Sequence, residues 1–143
     1  MLTVRRASSS WKGTFSEGVG EVSLESSGLG PFAEAAALSA ENPPGRTSPM
    51  ELLAAAEGSC ICGTVAYLLE KAGCPAETLE TDAEVVSDLA RGKGILGVHV
   101  IVRGVVPGAT PEQFAELVNR AKDNCPVSQA LTGTAITVDC VLG

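Results

Sequence analysis

The stretch Ser48-Pro49-Met50-Glu51-Leu52-Leu53-Ala54-Ala55-Ala56-Glu57-Gly58-Ser59-Cys60-Ile61-Cys62-Gly63-Thr64-Val65-Ala66-Tyr67-Leu68-Leu69, running on to Lys71-Ala72-Gly73, decides the fold. Ser48 is a good N-cap, Pro49 suits the first helical position and Glu51 completes an S-x-x-E capping box, so a helix starts here. Gly73, just after Lys71, is its expected stop. Between these ends the helix is apolar nearly all round, and such a helix requires protein on every side. Its length approaches the roughly 17–25 residues of a membrane span. Glu57 lies inside it, however, and Gly58, Ser59, Gly63 and Thr64 dilute it, which favours a buried helix at a subunit interface over a membrane segment.

Working outward, Trp11–Phe15 and Val19–Glu25 read as two strands joined at Glu17-Gly18. A Gly- and Pro-rich connector, Ser26–Gly45, leads to the helix, and its middle, Phe32–Leu38, is compatible with strand or helix. Beyond the helix, Leu79–Leu89 and Ile95–Val106 form an expected antiparallel pair across Arg91-Gly92-Lys93-Gly94. In the second of these, Leu96, Val98, Val100 and Val102 share one face, and His99 falls with Arg103 on the other. Thr110, Pro111 and Gln113 mark a second helix start with its own capping box. Phe114, Leu117, Val118 and Ala121 make that helix's buried stripe. Pro126 disfavours helical geometry at Cys125, so the helix ends or kinks there. A last strand, Thr134–Leu142, alternates Ile136, Val138, Cys140 and Leu142. Strands and helices in this order, without alternating βα units, predict a single α+β domain over residues 1–143 with an antiparallel sheet.

The 143 residues carry a formal charge of −7, which argues against a nucleic-acid partner, since that requires a basic stripe. No apolar run follows Arg5-Arg6, so no secretory signal is read there. Five cysteines (Cys60, Cys62, Cys74, Cys125 and Cys140) then point to a reducing cytoplasm, and their odd number argues against a fixed disulfide framework. Cys60 and Cys62 sit about 200° apart on a helix. With a single histidine and no C-x-x-C, a structural metal site is not expected.

A cysteine reacts as its thiolate and needs a positive or dipolar neighbour. Cys125 has one if Pro126–Leu131 forms a short helix that it caps. Cys60 lies mid-helix, where no free backbone donor helps it, so its activation is expected from side chains elsewhere. The plain alternative is that both cysteines are small core residues.

The run Arg46-Thr47-Ser48-Pro49-Met50-Glu51-Leu52-Leu53-Ala54-Ala55-Ala56, followed by Cys60, resembles the first cysteine motif of the OsmC/Ohr superfamily, the osmotically inducible and organic-hydroperoxide-resistance proteins. Ala121-Lys122-Asp123-Asn124-Cys125-Pro126-Val127-Ser128-Gln129-Ala130-Leu131 is similar to its second. Trp11-Lys12-Gly13 and Gly20-Glu21-Val22-Ser23 resemble its opening hairpin, and Cys74-Pro75 with Thr78–Val86 its following strand, so the resemblance spans nearly the whole chain. It implies an intertwined homodimer whose sheets wrap around long central helices, with active sites at the subunit interface. It also implies a thiol-dependent peroxidase without metal or organic cofactor. Cys60 would attack a hydroperoxide and become a sulfenic acid, Cys125 would resolve it as a disulfide, and an external thiol or dithiol would reduce that.

Three departures accompany the resemblance. The glutamate that the family places ten residues before its reactive cysteine is Met50 here. The family arginine has no counterpart in Trp11–Gly20 or Pro31–Asn42, which leaves Arg46 as an auxiliary candidate. Glu57, three residues before Cys60, is a second auxiliary candidate. It lies on the same helix side, where its charge disfavours the thiolate. These departures keep a second reading open, an OsmC-fold ligand-binding or redox-sensing module with little turnover. A third is a redox-inert domain whose cysteines only pack.

Overall fold

The structure, a computed structural model, describes residues 1–36 and 43–143. The chain divides into two compact units, Met1–Leu52 and Leu53–Gly143.

In the first unit, β1 (Ser8–Lys12), β2 (Val19–Leu24) and β3 (Leu29–Glu34) form an antiparallel sheet in that order. The first strand lies earlier than the sequence suggested. Residues expected to prolong it are drawn into a loop instead. There the Gly18 amide donates to the Thr14 carbonyl at 2.7 Å and the Trp11 indole donates to the same oxygen at 3.2 Å. β3 lies in the stretch taken as a connector. Its pairing with β2, closed by a turn in which Gly28 has φ +75°, overrides the local Gly and Pro signals. Phe32 is therefore strand, while residues 37 and 38 of the same ambiguous segment lie outside the described residues.

Helix α1 (Pro49–Lys71) begins in the first unit and runs on through the second. The Glu51 amide donates to the Ser48 hydroxyl at 3.2 Å, as an N-cap requires, and the Thr47 hydroxyl donates to the Glu51 carboxylate at 2.8 Å. At the far end Gly73 adopts φ +80°, the Cys74 amide reaches the Leu69 carbonyl at 3.0 Å and the Gly73 amide reaches Glu70 at 3.0 Å. This is a complete Schellman stop, which a left-handed glycine permits.

The second unit holds β4 (Thr78–Asp88), β5 (Gly94–Val105), α2 (Pro111–Asn124), α3 (Pro126–Ala130) and β6 (Ala135–Leu142). β4 and β5 pair antiparallel as expected, with Ala83 opposite Val100. β6 pairs with the other edge of β5 in parallel, Ile136 beside Val98 and Cys140 beside Val102. The sheet is thus mixed rather than antiparallel throughout, because the chain crosses over through α2 and α3 between these strands and returns to the same end.

The core lies in this unit. Ile61, Val65 and Leu69 from one face of α1 meet Val98, Val100 and Val102 of β5 and Phe114, Leu117, Val118 and Ala121 of α2. All four residues of the expected α2 stripe are buried, and the Thr110–Gln113 capping box is fully formed. A Cβ added to Gly104 would stand 2.9 Å from the Phe114 ring, so glycine there lets α2 settle on the sheet. Leu96, expected inside, is half exposed beside the register shift at Val86/Ser87. His99 faces outward from the sheet, hydrogen-bonded to Thr137 at 2.6 Å with Asp139 3.1 Å from its Nε2.

Helix α1 is not enclosed on every side within the chain. It buries Glu57, Gly58, Ile61, Val65 and Leu69 along one face, while Ala55, Ala56, Ala66 and Tyr67 are exposed.

Candidate functional site

Cys60 and Cys125 meet in the second unit. Cys60 sits in the middle of α1, held at a fixed depth because Gly58, two residues earlier, lies against β4. A Cβ on Gly58 would stand 3.1 Å from the Ala83 Cβ, and the Thr81 hydroxyl donates to the Gly58 carbonyl at 3.2 Å. Cys125 is placed by the end of α2. Its amide donates to the Ala121 carbonyl at 2.8 Å, while its own backbone turns extended (φ −63°, ψ 126°) ahead of Pro126. The same residue is the N-cap of α3, so the expected short helix forms.

The Cys125 thiol and the Val127 backbone amide both lie close enough to the Cys60 sulfur to act on its protonation. All five cysteines are free thiols; Cys125 is buried and Cys60 half-buried. Burial, first, and then the neighbouring Cys125 thiol push the Cys60 thiol above its ordinary value. The nearby charges of Cys125 and Glu57 push the same way, and the Val127 amide pulls against them. Side chains elsewhere were expected to favour the Cys60 thiolate; the group that does so is instead a backbone amide, that of Val127 in the first turn of α3.

Glu57 is fully buried. The Ser128 hydroxyl donates to its Oε1, and its Oε2 has no hydrogen-bond partner. Among the described residues no lysine, arginine or histidine forms an ion pair with it. Sequence reading identified Glu57 from its helical spacing to Cys60 but missed Ser128, whose motif position gave no sign of a carboxyl partner. The structure thus brings Cys60, Cys125 and Glu57 together. Arg46 belongs to the first unit, where it lines a recess of about 260 Å³ with Trp11, Phe15 and Pro43. Met50 occupies the second position of α1.

These features define a class: an α+β protein with a neighbouring pair of free cysteines, one in the middle of a long helix and one capping the short helix α3. The OsmC-like protein family matches residues 42–141, and the chain belongs to the OsmC family. A protein named peroxiredoxin OsmC from Escherichia coli (strain K12) is 31% identical over 142 residues, which cover 97% of this chain and 96% of the relative. Among solved structures, an OsmC-like protein of unknown function from Vibrio cholerae superposes with a TM-score of 0.78 at 18% identity, covering 98% of this chain and 100% of its own. The organic hydroperoxide resistance protein OhrB of Bacillus subtilis superposes with a TM-score of 0.62 at 24% identity, covering 96% and 98%. These two structures share the fold.

Proposed function

We propose that this protein is a thiol-dependent peroxidase that reduces organic or inorganic hydroperoxides. The observation that carries the reading is the meeting of two free cysteines distant in sequence, Cys60 and Cys125, close enough for one thiol to act on the other. The kinship with a protein named a peroxiredoxin supports it. Cys60 is the more accessible of the two and takes the peroxidatic role. Its sulfur attacks the peroxide O–O bond, an alcohol or water departs and Cys60 becomes a sulfenic acid. Cys125 displaces the sulfenic oxygen as water and forms a disulfide, which an external thiol or dithiol reduces. Residues 1–143 act as one domain in this reading, in the cytoplasm, as a homodimer. The exposed apolar residues Ala55, Ala56, Ala66 and Tyr67 of α1 supply a face for the second subunit. Arg46 is the candidate cation for the site, acting from the partner subunit.

The test is one equivalent of tert-butyl hydroperoxide added to reduced protein, followed by thiol titration and peptide mapping. A Cys60–Cys125 disulfide with Cys62, Cys74 and Cys140 spared is expected. A bridge to Cys62 instead would overturn the assignment. A second reading, a sensor or ligand-binding module with little turnover, is favoured by one observation: the Cys60 thiol is pushed up, away from the thiolate. Stoichiometric oxidation without sustained consumption of peroxide in the presence of excess dithiol would select it.

A further inference from the structure

Closing a Cys60–Cys125 disulfide requires Cys125 to lose a proton, yet Cys125 is fully buried. Bulk solvent reaches that proton poorly, so an acceptor inside the protein speeds its removal. The described groups leave few choices. His99, the single histidine, faces away from the core toward Thr137 and Asp139. The Val127 amide is a donor only. Glu57 remains, one helical turn before Cys60 on the same side of α1 and tied to Ser128 on the helix that Cys125 caps.

Glu57 is also poorly explained as a packing residue. A buried carboxyl that makes one hydrogen bond, pairs with no described cation and leaves Oε2 unsatisfied is costly to the fold. A residue of apolar character would fill the same space at less cost. The bond to Ser128 fixes one oxygen and leaves the other without a partner, on a carboxyl whose charge acts on the Cys60 thiol. We propose that Glu57 is the proton carrier of the Cys60–Cys125 pair, positioned by Ser128.

The step balances as follows. In Cys60–SOH + Cys125–SH, the Cys125 S–H bond breaks and its proton passes to the Glu57 carboxylate. The S–S bond forms as the Cys60 S–O bond breaks, and the departing hydroxide takes the proton back from Glu57 and leaves as water. The sulfenic sulfur is reduced, the Cys125 sulfur is oxidised and Glu57 returns to its starting state. When an external thiol opens the disulfide by attacking Cys60, the proton it gives up passes to the Glu57 carboxylate and from there to the released Cys125 sulfur. Glu57 therefore has opposite effects on the two halves of the cycle. Its charge opposes formation of the Cys60 thiolate, while its free oxygen assists Cys125.

This inference rests on the reading of Cys60 and Cys125 as a redox pair, and its test uses no peroxide. In the full chain carrying Cys62→Ala and Cys140→Ala, dithionitrobenzoate labels Cys60 and releases one coloured thiolate. Attack by Cys125 then releases a second, in a phase independent of reagent concentration. Glu57→Gln is expected to accelerate the first release. It should slow the second about a hundredfold near neutral pH, the scale of a lost general base. The slowed phase should climb with pH more steeply than in the parent, because hydroxide must now take the proton. Glu57→Asp should restore part of the rate, and Ser128→Ala, which keeps the carboxyl but releases it, should slow closure by a smaller factor.

A closure rate and pH profile unchanged in Glu57→Gln would overturn the proposal. So would a change of both phases in the same direction, which is what loss of structure produces. Should Glu57→Gln fail to fold, unaltered closure in Ser128→Ala would overturn it equally. If the parent closes with the reagent but leaves hydroperoxide untouched, the peroxidase reading falls and the carrier stands. If the parent shows no closure phase, both fall.

Discussion

Gly58 and Ala83 approach closely: a Cβ on the glycine would stand 3.1 Å from the alanine's own, so any side chain there must push its neighbour aside. This contact sets the depth at which α1 lies on β4, and with it the position of Cys60 two residues on. Gly58→Val is expected to cost about 1–3 kcal/mol through overpacking, seen as a lower urea midpoint. Because the displaced helix carries Cys60, the same variant should form the Cys60–Cys125 disulfide more slowly than its loss of stability explains. A variant that is destabilised but bridges at the parent rate would show that the contact governs packing alone.

The pH dependence of Cys60 follows from its surroundings. Burial, then the neighbouring Cys125 thiol, then the charges of Cys125 and Glu57 raise its pKa against the pull of the Val127 amide. A raised thiol pKa means less thiolate at pH 7, so alkylation by iodoacetamide should be slow there. It should rise about tenfold per pH unit and level off only above the ordinary thiol value of about 8.5. Glu57→Gln removes one raising cause and should move the profile to lower pH. If Arg46 reaches the site from a second subunit, Arg46→Ala should move it higher. A rate already at its plateau below pH 6 in all three proteins would contradict this account.

Helix α2 offers a contrast, since its capping affects stability without touching the thiols. Thr110 and Gln113 satisfy each other's backbone donors, at 3.2 Å and 3.0 Å. Thr110→Ala should cost about 1 kcal/mol, read as a shift in the unfolding midpoint at unchanged m-value. Cys60 alkylation in the folded protein should be unaffected.

The exposed side of α1 is expected to carry the homodimer. Tyr67, 57% exposed and with the Lys71 ammonium 5.5 Å from its ring centroid, is a large apolar residue on that side. Sedimentation equilibrium at micromolar concentration should give a dimer for the parent and a shift toward monomer for Tyr67→Asp. A parent that remains monomeric would remove the dimer from the proposed function.

What could be read from sequence divides by the range of the forces involved. The α2 cap, its Phe114, Leu117, Val118 and Ala121 stripe and its end before Pro126 depend on neighbours within a few residues, and the structure has all of them. The same holds for the start of α1 at Ser48 and its stop at Gly73. β3 was hidden because Gly28, Gly30 and Pro31 read as loop, whereas pairing with β2 decides the matter. The parallel direction of β6 was equally hidden, since no local pattern specifies which edge of β5 it joins. At the site, spacing placed Glu57 on the side of Cys60. Its bond to Ser128, 71 residues away, and the Val127 amide on the Cys60 sulfur come from tertiary packing.

Because β6 lies parallel to β5, Cys125 rides on a crossover whose far end is secured only when the last strand docks, with Ile136 beside Val98 and Leu142 beside Gly104. Pairings of such long sequence separation form late, since loop closure precedes any reward in contacts. A chain still emerging from synthesis therefore exposes both thiols before it has the geometry that joins them. Pulse alkylation during refolding should find Cys125 becoming protected together with β6 rather than with α1.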